Sequence, residues 1–569
     1  MPRPSASEPR SLIVAALPWL LILVVLLAVA WPALSRAAFV PDDCRLLLQA
    51  RAVSSGDLGT LATALTVENR WDGDWWIPDG TVVRFFRPLV VLSLALDRAI
   101  WGESPLGFVL GNLVLHFIAS VLAFCCLRRL TLGQWPALVA ALLFTTLACH
   151  AEQIFFAAGR TDTIPVIAML WGLFVFLGQG ETTRVRGALG LAAIYFVALV
   201  AKESTFWLPV AFVCIDRWRA SPGANGVAAL WRRRRPLYIA CAGALVGYVL
   251  LRTWVLGDAG ALPAPYVFTP SEPGFVGHVG LAAAHYAASL VAGLPVRPFL
   301  ESADALGTQA SASLWGGAAF VLGLLWWGWR TPLGRLCVVL FLLALLPQLP
   351  LYTSGRYLYP ASLPWAALVG LLAARLARRR LGFGVLFAVA VIGVQGFGLR
   401  RELGQQPLYF DGVSMCEWTT RLFRTAPLAR GPARPVYVID LPLSWLDTQF
   451  LQQTLAVNWP EGDVTVRVLC RGPQRASQAL AEVRKLDARS IELVRPKGRL
   501  QEPRASAEFP QRRVVVGERI RERDYEVEVL EVVGEHASKV RVHFDRDLDQ
   551  LQLMRCHPVR GGWTLLPVL

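Results

Sequence analysis

The sequence predicts an all-α polytopic membrane protein of about 11 transmembrane helices, followed by an extracytoplasmic C-terminal domain that is α/β or β-rich. Hydrophobic residues make up 55% of the 569 residues, and the mean hydropathy is +0.46. Apolar runs recur from residue 11 to residue 399. From about residue 402 the composition changes to that of a soluble domain. We therefore expect a membrane domain over residues 1–401 and a soluble domain over residues 402–569.

The first apolar run covers residues 11–34 and has 24 residues without a charge, which is enough to cross a hydrocarbon core of ~30 Å. Ten further runs follow it, and several are short for a complete span. They lie near residues 105–127, 136–149, 161–178, 188–202, 204–216, 236–256, 313–329, 336–351, 361–377 and 383–399.

The basic residues indicate membrane topology rather than a nucleic-acid site. The net charge is +15, but Lys and Arg lie in short clusters between apolar runs instead of along one stripe. If the runs alternate in direction, these clusters fall on one side, which the positive-inside rule makes cytoplasmic. We therefore expect an integral protein of a plasma or inner membrane. Its N-terminus is then cytoplasmic, and the tail from residue 402 lies on the outer side.

Two long outer loops are predicted, 35–104 and 257–312. The first is rich in Trp and acidic residues, and this aromatic content argues against disorder. Within it, residues 88–102 have an interrupted helical periodicity and are predicted to lie along the membrane surface. The second contains another candidate surface helix, on which His278 and His285 share one face. We favour interfacial side chains there, because a metal site would need a third ligand.

The tail is predicted to contain six strands and one helix. The helical segment is 474–486, and the strand segments alternate or run apolar. The strand segments are 435–440, 464–470, 490–494, 512–517, 525–533 and 539–545.

Four of the ten cysteines fall on the predicted outer side of the membrane, where disulfides persist. They allow three pairings, which the sequence does not rank, and free thiols are equally compatible with it. These cysteines are Cys44, Cys416, Cys470 and Cys556.

Charged groups recur in separate loops, and with the topology above they all fall on the outer face. Asp42 and Asp43 follow the first span, and further acids and cations follow later spans. A transporter would bury such groups near the bilayer midplane, often on broken helices in matched halves, which this sequence lacks. The recurrence is our main physical argument for a site. The later residues are Arg84, Arg87, His150, Glu152, Arg160, Lys202, Glu203 and Arg356.

Five segments carry these residues in order. They read FVPDDCRLL (39–47), RFFRPLVVLSLALDRAIWGESPLGFVLGNLVLH (84–116), CHAEQIFFAAGRTD (149–162), AKESTFWLPV (201–210) and SGRYLYPAS (354–362). As an ordered set they resemble the GT-C class of membrane glycosyltransferases, and above all its protein O-mannosyltransferase-like branch. The resemblance covers roughly residues 10–400. The tetratricopeptide repeats found in part of that branch are absent, and Ala151 stands where the family often has Pro.

The resemblance implies a GT-C-like integral-membrane transferase that takes a sugar from a polyprenyl-phosphate carrier. It places the general base at Asp42 or Asp43. The implied donor is the lipid-linked sugar, and the acceptor is a glycan, a lipid or a protein. The sequence identifies neither the acceptor nor the sugar. The resemblance also implies that several polar residues line or support the cavity. These are His150, Glu152, Arg160, Asp162, Lys202, Glu203 and Arg356.

The chemistry of such a transfer fits these residue types. Attack of a hydroxyl on the anomeric carbon needs a base and needs cations for the departing phosphate. We predict Asp42 as the base and Asp43 as its orienting or pKa-setting partner, although the two roles could be reversed. Tyr357 is a candidate for stacking on the sugar or prenyl chain. The candidate phosphate ligands are Arg160, Lys202 and Arg356, with Arg87 behind them.

We expect an inverting reaction without a metal or other cofactor, because Arg and Lys can neutralise a monophosphate by themselves. Two alternatives stay open at this stage. One is a flippase or other transporter of lipid-linked sugars, and the other is a non-catalytic membrane scaffold that presents the outer domain to partners.

Overall fold

In a computed structural model, the chain forms two compact units. The first comprises Met1–Ala38, Phe86–Gly260 and Tyr266–Tyr409, and the second comprises Phe39–Phe85, Ala261–Pro265 and Phe410–Leu569. Residues 39–85 of the predicted first outer loop therefore group with the C-terminal region. The structure describes all residues except 1–11, 55–65, 71–74, 78–81, 131, 181, 221–225, 258–266, 272–273, 297–306, 406–411, 429–434, 443–449, 473–478, 496–499, 501–511, 535, 560–561 and 569.

The described residues of the first unit are mainly helical. Several of its helices begin with proline, which has no N–H to leave unpaired and a backbone angle already suited to the first turn. The helices are Leu12–Ser35, Pro88–Trp101, Pro105–Arg129, Gln134–Thr146, Ala151–Phe155, Arg160–Leu177, Val185–Ala201, Leu208–Arg219, Val227–Leu256, Phe275–Ala292, Gly307–Trp329, Pro332–Leu345, Tyr359–Arg379 and Leu381–Gln405.

Among the described residues, seven helices are long and apolar enough to cross a membrane, or eight if one bent pair is a single span. The expected count of about 11 is not confirmed. One reason is length, because the apolar runs near 188–202 and 204–216 form helices of only 17 and 12 residues. The helix Phe275–Ala292, which we expected on the membrane surface, is one of the seven by length and composition.

Short 3-10 turns interrupt the helices in three of the sequence segments that carry the candidate site residues, and two of these turns depend on glycine. A Cβ on Gly159 would overlap the backbone of Glu152 and Gln153. A Cβ on Gly355 would come within 2.9 Å of the Cys149 carbonyl oxygen. Only glycine permits these close approaches of backbone to backbone. The turns are Ala148–His150, Ala157–Gly159, Glu203–Thr205 and Gly355–Leu358.

The second unit combines three sheets with a few helices. The strands are β1 Thr66–Arg70, β2 Val82–Phe86, β3 Val436–Ile439, β4 Val466–Val468, β5 Glu482–Lys485, β6 Ser490–Val494, β7 Arg519–Arg521, β8 Tyr525–Val533, β9 His536–Phe544, β10 Gln552–Val559 and β11 Gly562–Pro567. Strands β1 and β2 form a separate pair. The order in the five-stranded sheet is β5-β6-β9-β8-β7, and every neighbouring pair is antiparallel. The order in the four-stranded sheet is β11-β10-β3-β4, in which β3 runs parallel to both of its neighbours and β10 and β11 are antiparallel. The helices are Pro41–Ser54, Gly412–Thr425 and Leu451–Asn458.

Alternating burial along β8 explains how the larger sheet forms its core. Val527 and Val529 are fully buried, as are Val540 and Val542 on β9. The residues between them are partly or fully exposed. The period of two in the sequence therefore places one face of this sheet in the interior.

Two of the local predictions for the tail are wrong, while strands do form in the other five predicted strand segments. Residues 512–517 form no strand, and the nearest strand is Arg519–Arg521. The end of the predicted helix 474–486 is β5, because Glu482–Lys485 pairs in antiparallel register with β6. Residues 473–478 of that prediction lie outside the described residues. Sheet pairing outweighs local helical periodicity here.

Candidate functional site

Three ion pairs lie together in the first unit, on the helix breaks described above. Both terminal nitrogens of Arg87 bond to Glu203, at 2.6 Å and 3.0 Å. Lys202 bonds to Asp162. The cations come from the start of one helix and the end of another, in stretches far apart in sequence, so the fold brings them together.

The third ion pair joins the 3-10 turn Gly355–Leu358 to the short helix Ala151–Phe155. Arg356 Nε donates to Glu152 at 2.7 Å, and the Ser354 hydroxyl donates to the same carboxylate at 3.1 Å. Gly355 lies between these two donors, at the position where a Cβ would meet the Cys149 carbonyl. The serine, glycine and arginine therefore act as one short segment that holds Glu152.

The three ion pairs form one continuous cluster, which we call the cation cluster and define as Arg87, Lys202 and Arg356 with their acids. Lys202 Nζ lies 5.1 Å from the centre of the Tyr357 ring, and Tyr357 follows Arg356 directly. The charge of Asp162 acts on both Arg87 and Glu152. Lys202 and Arg356 are each 9% exposed. The Glu203 side chain is 37% exposed, which makes it the most open of the three acids.

The charges in this cluster stabilise one another against the cost of burial. Burial favours the neutral acid at Glu203, but the Arg87 guanidinium outweighs it and lowers the Glu203 pKa to about 2. Burial also opposes the charge on Arg87, yet Glu203 raises the Arg87 pKa above its usual value. At Lys202 burial dominates, and the pKa is lowered in spite of Asp162. An additional negative charge nearby would therefore stabilise the protonated form of Lys202.

We expect Gly355→Ala to separate Arg356 from Glu152 and to reduce the sugar transfer that the resemblance implies by about 10-fold or more, since the added Cβ needs space that the Cys149 carbonyl occupies. Gly243→Ala is the matched control, because nothing lies within 4 Å of a Cβ at that helical position. Initial rates of transfer and thermal unfolding in detergent provide the comparison. Equal activity of the two variants would show that the close approach at Gly355 is not needed.

Arg160 belongs to a buried polar network with Asn112 and Asp97. Its Nε donates to Asn112 Oδ1 at 2.7 Å, and its Nη2 bonds to Asp97. Its terminal nitrogens also donate to the backbone oxygens of Ser93 and Phe108, each at 3.1 Å. The side chain is 2% exposed. Because its donors already bind protein groups, we now propose that Arg160 joins neighbouring helices and does not bind the donor phosphate.

If this assignment is correct, Arg160→Ala lowers thermal stability and folded yield, because it leaves Asp97 buried without its cation. Removal of one partner from such a pair typically costs about 3–5 kcal/mol. The double variant Arg160→Met with Asp97→Leu should recover much of the yield. Thermal unfolding and donor KM are the measurements. If the Arg160→Ala protein has normal stability and a raised donor KM, Arg160 binds the donor phosphate, as the sequence predicted.

His150 and His116 take part in a buried hydrogen-bond network within the first unit. His150 Nε2 and the Ser362 hydroxyl are 3.1 Å apart. His116 Nδ1 lies 2.8 Å from the Tyr359 hydroxyl and its Nε2 lies 3.1 Å from the Thr145 carbonyl oxygen. Tyr359 begins the helix that follows Arg356, and His150 precedes Glu152 by two positions. The network therefore fixes the two segments that carry the Arg356–Glu152 pair.

Asp42 and Asp43 lie in the second unit, in the first turn of the helix Pro41–Ser54. Asp43 is fully buried, and its carboxylate accepts a hydrogen bond of 3.2 Å from the Val40 amide, which is the reciprocal bond of a helix capping box. Asp42 is more exposed. Negative charges in the first turn also suit the helix dipole. Whether these carboxylates meet the cation cluster stays a prediction.

The helix that carries the two acids packs against the C-terminal part of the second unit. Arg51 donates to the carbonyl oxygens of Ala456 and Val457, at 3.1 Å and 3.4 Å. Trp75 is also buried in this unit and donates from Nε1 to the Leu469 carbonyl at 2.9 Å. Trp76 is equally buried, with Arg471 over its ring. These two Trp side chains therefore pack within the protein.

Several contributors to the site were not singled out by the sequence patterns. Ser354 and Gly355 support Glu152, and Asp97 pairs with Arg160. Two features of the sequence could have indicated these residues. Ser354 and Gly355 lie directly before Arg356, and Asp97 is a charged residue inside an otherwise apolar helix. Among the described residues, no group of three His, Cys, Asp or Glu could hold a metal ion. His278 bonds to the Leu351 carbonyl oxygen at 2.8 Å.

No protein-family model matches the chain, but several characterised sequences do. Protein O-mannosyl-transferase Tmtc1 of Drosophila melanogaster is 32% identical over 172 residues, which cover 30% of this chain and 19% of that protein. Human protein O-mannosyl-transferase TMTC4 is 30% identical over 181 residues, which cover 28% of this chain and 23% of that protein. The chain thus spans about a fifth of the length of these relatives. These matches confirm the resemblance to protein O-mannosyl-transferases.

The chain also aligns with two solved structures. The oligosaccharyltransferase of Archaeoglobus fulgidus, tethered to an acceptor peptide, aligns with a TM-score of 0.48 at 12% identity and covers 82% of this chain and 65% of its own. ArnT from Cupriavidus metallidurans in the apo state aligns with a TM-score of 0.47 at 14% identity and covers 79% of this chain and 90% of its own.

Proposed function

We propose that this relative of the protein O-mannosyl-transferases is an integral-membrane glycosyltransferase. It moves a sugar from a polyprenyl-phosphate donor to a hydroxyl acceptor at the outer membrane face. The observation that carries this proposal is the cation cluster, in which Arg87, Lys202 and Arg356 meet from distant parts of the chain. Each of these cations is held by an acid of its own.

Buried ion pairs are a poor means of stabilising a fold. Apolar residues of similar volume in their place are often as stable or more so, because burial of charge costs desolvation. Three such pairs at helix breaks therefore favour a functional explanation. A carboxylate that orients a guanidinium or an ammonium holds the cation in its binding position before the ligand arrives. This preorganisation reduces the entropy that is lost when the ligand binds.

A phosphate group is the ligand that fits these cations. Arg presents a planar fork to phosphate oxygens, and Lys adds a point charge. As the bond from the anomeric carbon to the phosphate oxygen breaks, negative charge grows on the leaving phosphate. The cations stabilise that charge in the transition state. The lipid tail of such a donor stays in the bilayer beside the helices.

Asp42 is the proposed general base. Its carboxylate takes the proton of the acceptor hydroxyl while the hydroxyl oxygen bonds to the anomeric carbon, and the phosphate leaves from the opposite face with inversion. The capping bond of Asp43 to Val40 favours this division of roles, because it holds Asp43 inside the helix end and leaves Asp42 more exposed. The proposed mechanism needs no metal or other cofactor.

Sugar transfer by the purified protein in lipid vesicles tests this function. Radiolabelled polyprenyl-phosphate-mannose is the first donor, with the glucose and pentose analogues in parallel, and membrane extracts of protein, lipid and glycan serve as acceptors. We expect a new glycosidic bond from one donor, identified by mass spectrometry. Labelled sugar that crosses the vesicle membrane without any new glycosidic bond would support a transporter instead.

A further inference from the structure

Two cysteines from distant parts of the chain lie on helices that pack against each other within the second unit. Cys44 lies on the helix Pro41–Ser54, and Cys416 lies on the helix Gly412–Thr425. Their side chains are 0% and 2% exposed, and both are free thiols in the structure. We propose that Cys44 and Cys416 form a disulfide in the mature protein, and that Cys470 and Cys556 stay thiols.

The surroundings of Cys44 favour a structural bond over a reactive thiol. The Asn458 side chain lies 3.8 Å from Cys44 Sγ, and the Val40 carbonyl oxygen lies 3.5 Å from it. The neighbouring Cys416 thiol, burial and the charge of Asp43 all raise the pKa of the free Cys44 thiol well above its usual value. A nucleophilic cysteine needs the opposite, a lowered pKa and access to solvent. The bond is therefore formed during folding, before the two helices pack.

The two other cysteines of this unit cannot bridge each other. Strand register places Cys470 and Cys556 on either side of Asp440, on the outer two of three adjacent strands. Two strand spacings separate their Cα atoms by about 10 Å, whereas a disulfide needs less than about 7 Å. Asp440 fills the space between them, and its amide donates to Cys470 Sγ at 3.4 Å.

The reaction is a thiol–disulfide exchange with an oxidised disulfide oxidoreductase on the outer side of the membrane. One cysteine thiolate attacks the disulfide of the oxidoreductase and displaces one of its sulfurs as a thiolate. The second cysteine thiolate then attacks the mixed disulfide. Two thiols lose two electrons and two protons, and the oxidoreductase leaves as a dithiol. The proposal needs the outer location of the tail but not the transferase activity.

Peptide mapping of the full-length protein under non-reducing conditions tests this inference. The protein is purified from membranes with a thiol-blocking reagent present, denatured and digested. We expect one cross-linked species that joins the peptides of Cys44 and Cys416. Eight of the ten cysteines should then be blocked without reduction. Alkylation of both Cys44 and Cys416 without reduction, or a link from either to Cys470 or Cys556, would overturn the proposal.

Matched variants keep the test informative. Cys44→Ser should release a thiol at Cys416, and Cys470→Ser should leave the cross-linked peptide unchanged. A reductant should lower the thermal midpoint of wild type by about 5 °C or more and leave the Cys44→Ser/Cys416→Ser double variant unaffected. Protease access to the tail in right-side-out vesicles reports separately on which side of the membrane the tail lies. If the tail lies outside and Cys44 and Cys416 are both free thiols, the proposed disulfide is wrong but the predicted topology is not.

Discussion

Replacement of Asp42 by Asn is expected to lower kcat for sugar transfer by about 1,000-fold with little change in the donor KM, because a general base contributes typically 10²–10⁴-fold. Asn has nearly the same shape as Asp but cannot accept the acceptor proton. The half-exposed position of Asp42 in the first helical turn leaves the fold little affected. Initial rates at varied donor and acceptor concentrations, with thermal unfolding alongside, measure the effect.

Asp43→Asn is the matched comparison, because an Asn side chain can still accept the hydrogen bond from the Val40 amide. We expect a smaller loss of kcat there, and we expect Asp43→Ala to lower stability because it removes that bond. If Asp42→Asn, Asp43→Asn and the double variant all keep full activity with normal folding, the proposed mechanism is wrong. A larger loss for Asp43→Asn than for Asp42→Asn would reverse the two roles.

Neutralisation of the Arg356–Glu152 pair should strongly reduce donor use without loss of the fold. The double variant Arg356→Gln with Glu152→Gln replaces an ion pair by two neutral amides that can still bond to each other. It avoids the unpaired buried charge of either single variant. We expect kcat/KM for the donor to fall by about 100- to 1,000-fold, since one cation facing developing charge contributes on that scale.

A surface pair on a neighbouring helix provides the matched control for this experiment. Arg98 and Glu103 are bonded at 2.8 Å, and their side chains are 33% and 42% exposed. Arg98→Gln with Glu103→Gln should therefore leave both activity and stability close to wild type. Wild-type donor kinetics in a stable Arg356→Gln/Glu152→Gln protein would remove this pair from the phosphate site.

The sequence predicted the helical membrane part and most strands of the tail because both follow from local hydrophobic patterns. The number of spans could not be predicted, because helices of 12 to 17 residues are too short to show by length whether they cross the membrane. The pairing partners of the strands could not be predicted either. Residues 482–485 form a strand because β6 lies beside them, which no property of their own periodicity indicates.

For the site, the sequence could indicate which charged residues recur at loop ends but not which carboxylate binds which cation. Arg160 and Arg356 are equivalent as motif residues. The fold separates them by pairing Arg160 with Asp97 and Asn112 inside the helices and Arg356 with Glu152 at a break. The partners that decide the role of each arginine lie dozens to hundreds of residues away.

The grouping of residues 39–85 with the C-terminal region has a consequence for protein engineering. The helix Pro41–Ser54 is anchored through Arg51 to Ala456 and Val457, so truncation of the tail would leave the acidic helix without its packing partner. Chimeras that exchange the C-terminal region between homologues should therefore carry residues 39–85 with it. A tail exchanged alone is expected to lose the contacts that Arg51 makes with Ala456 and Val457 and to fold less stably.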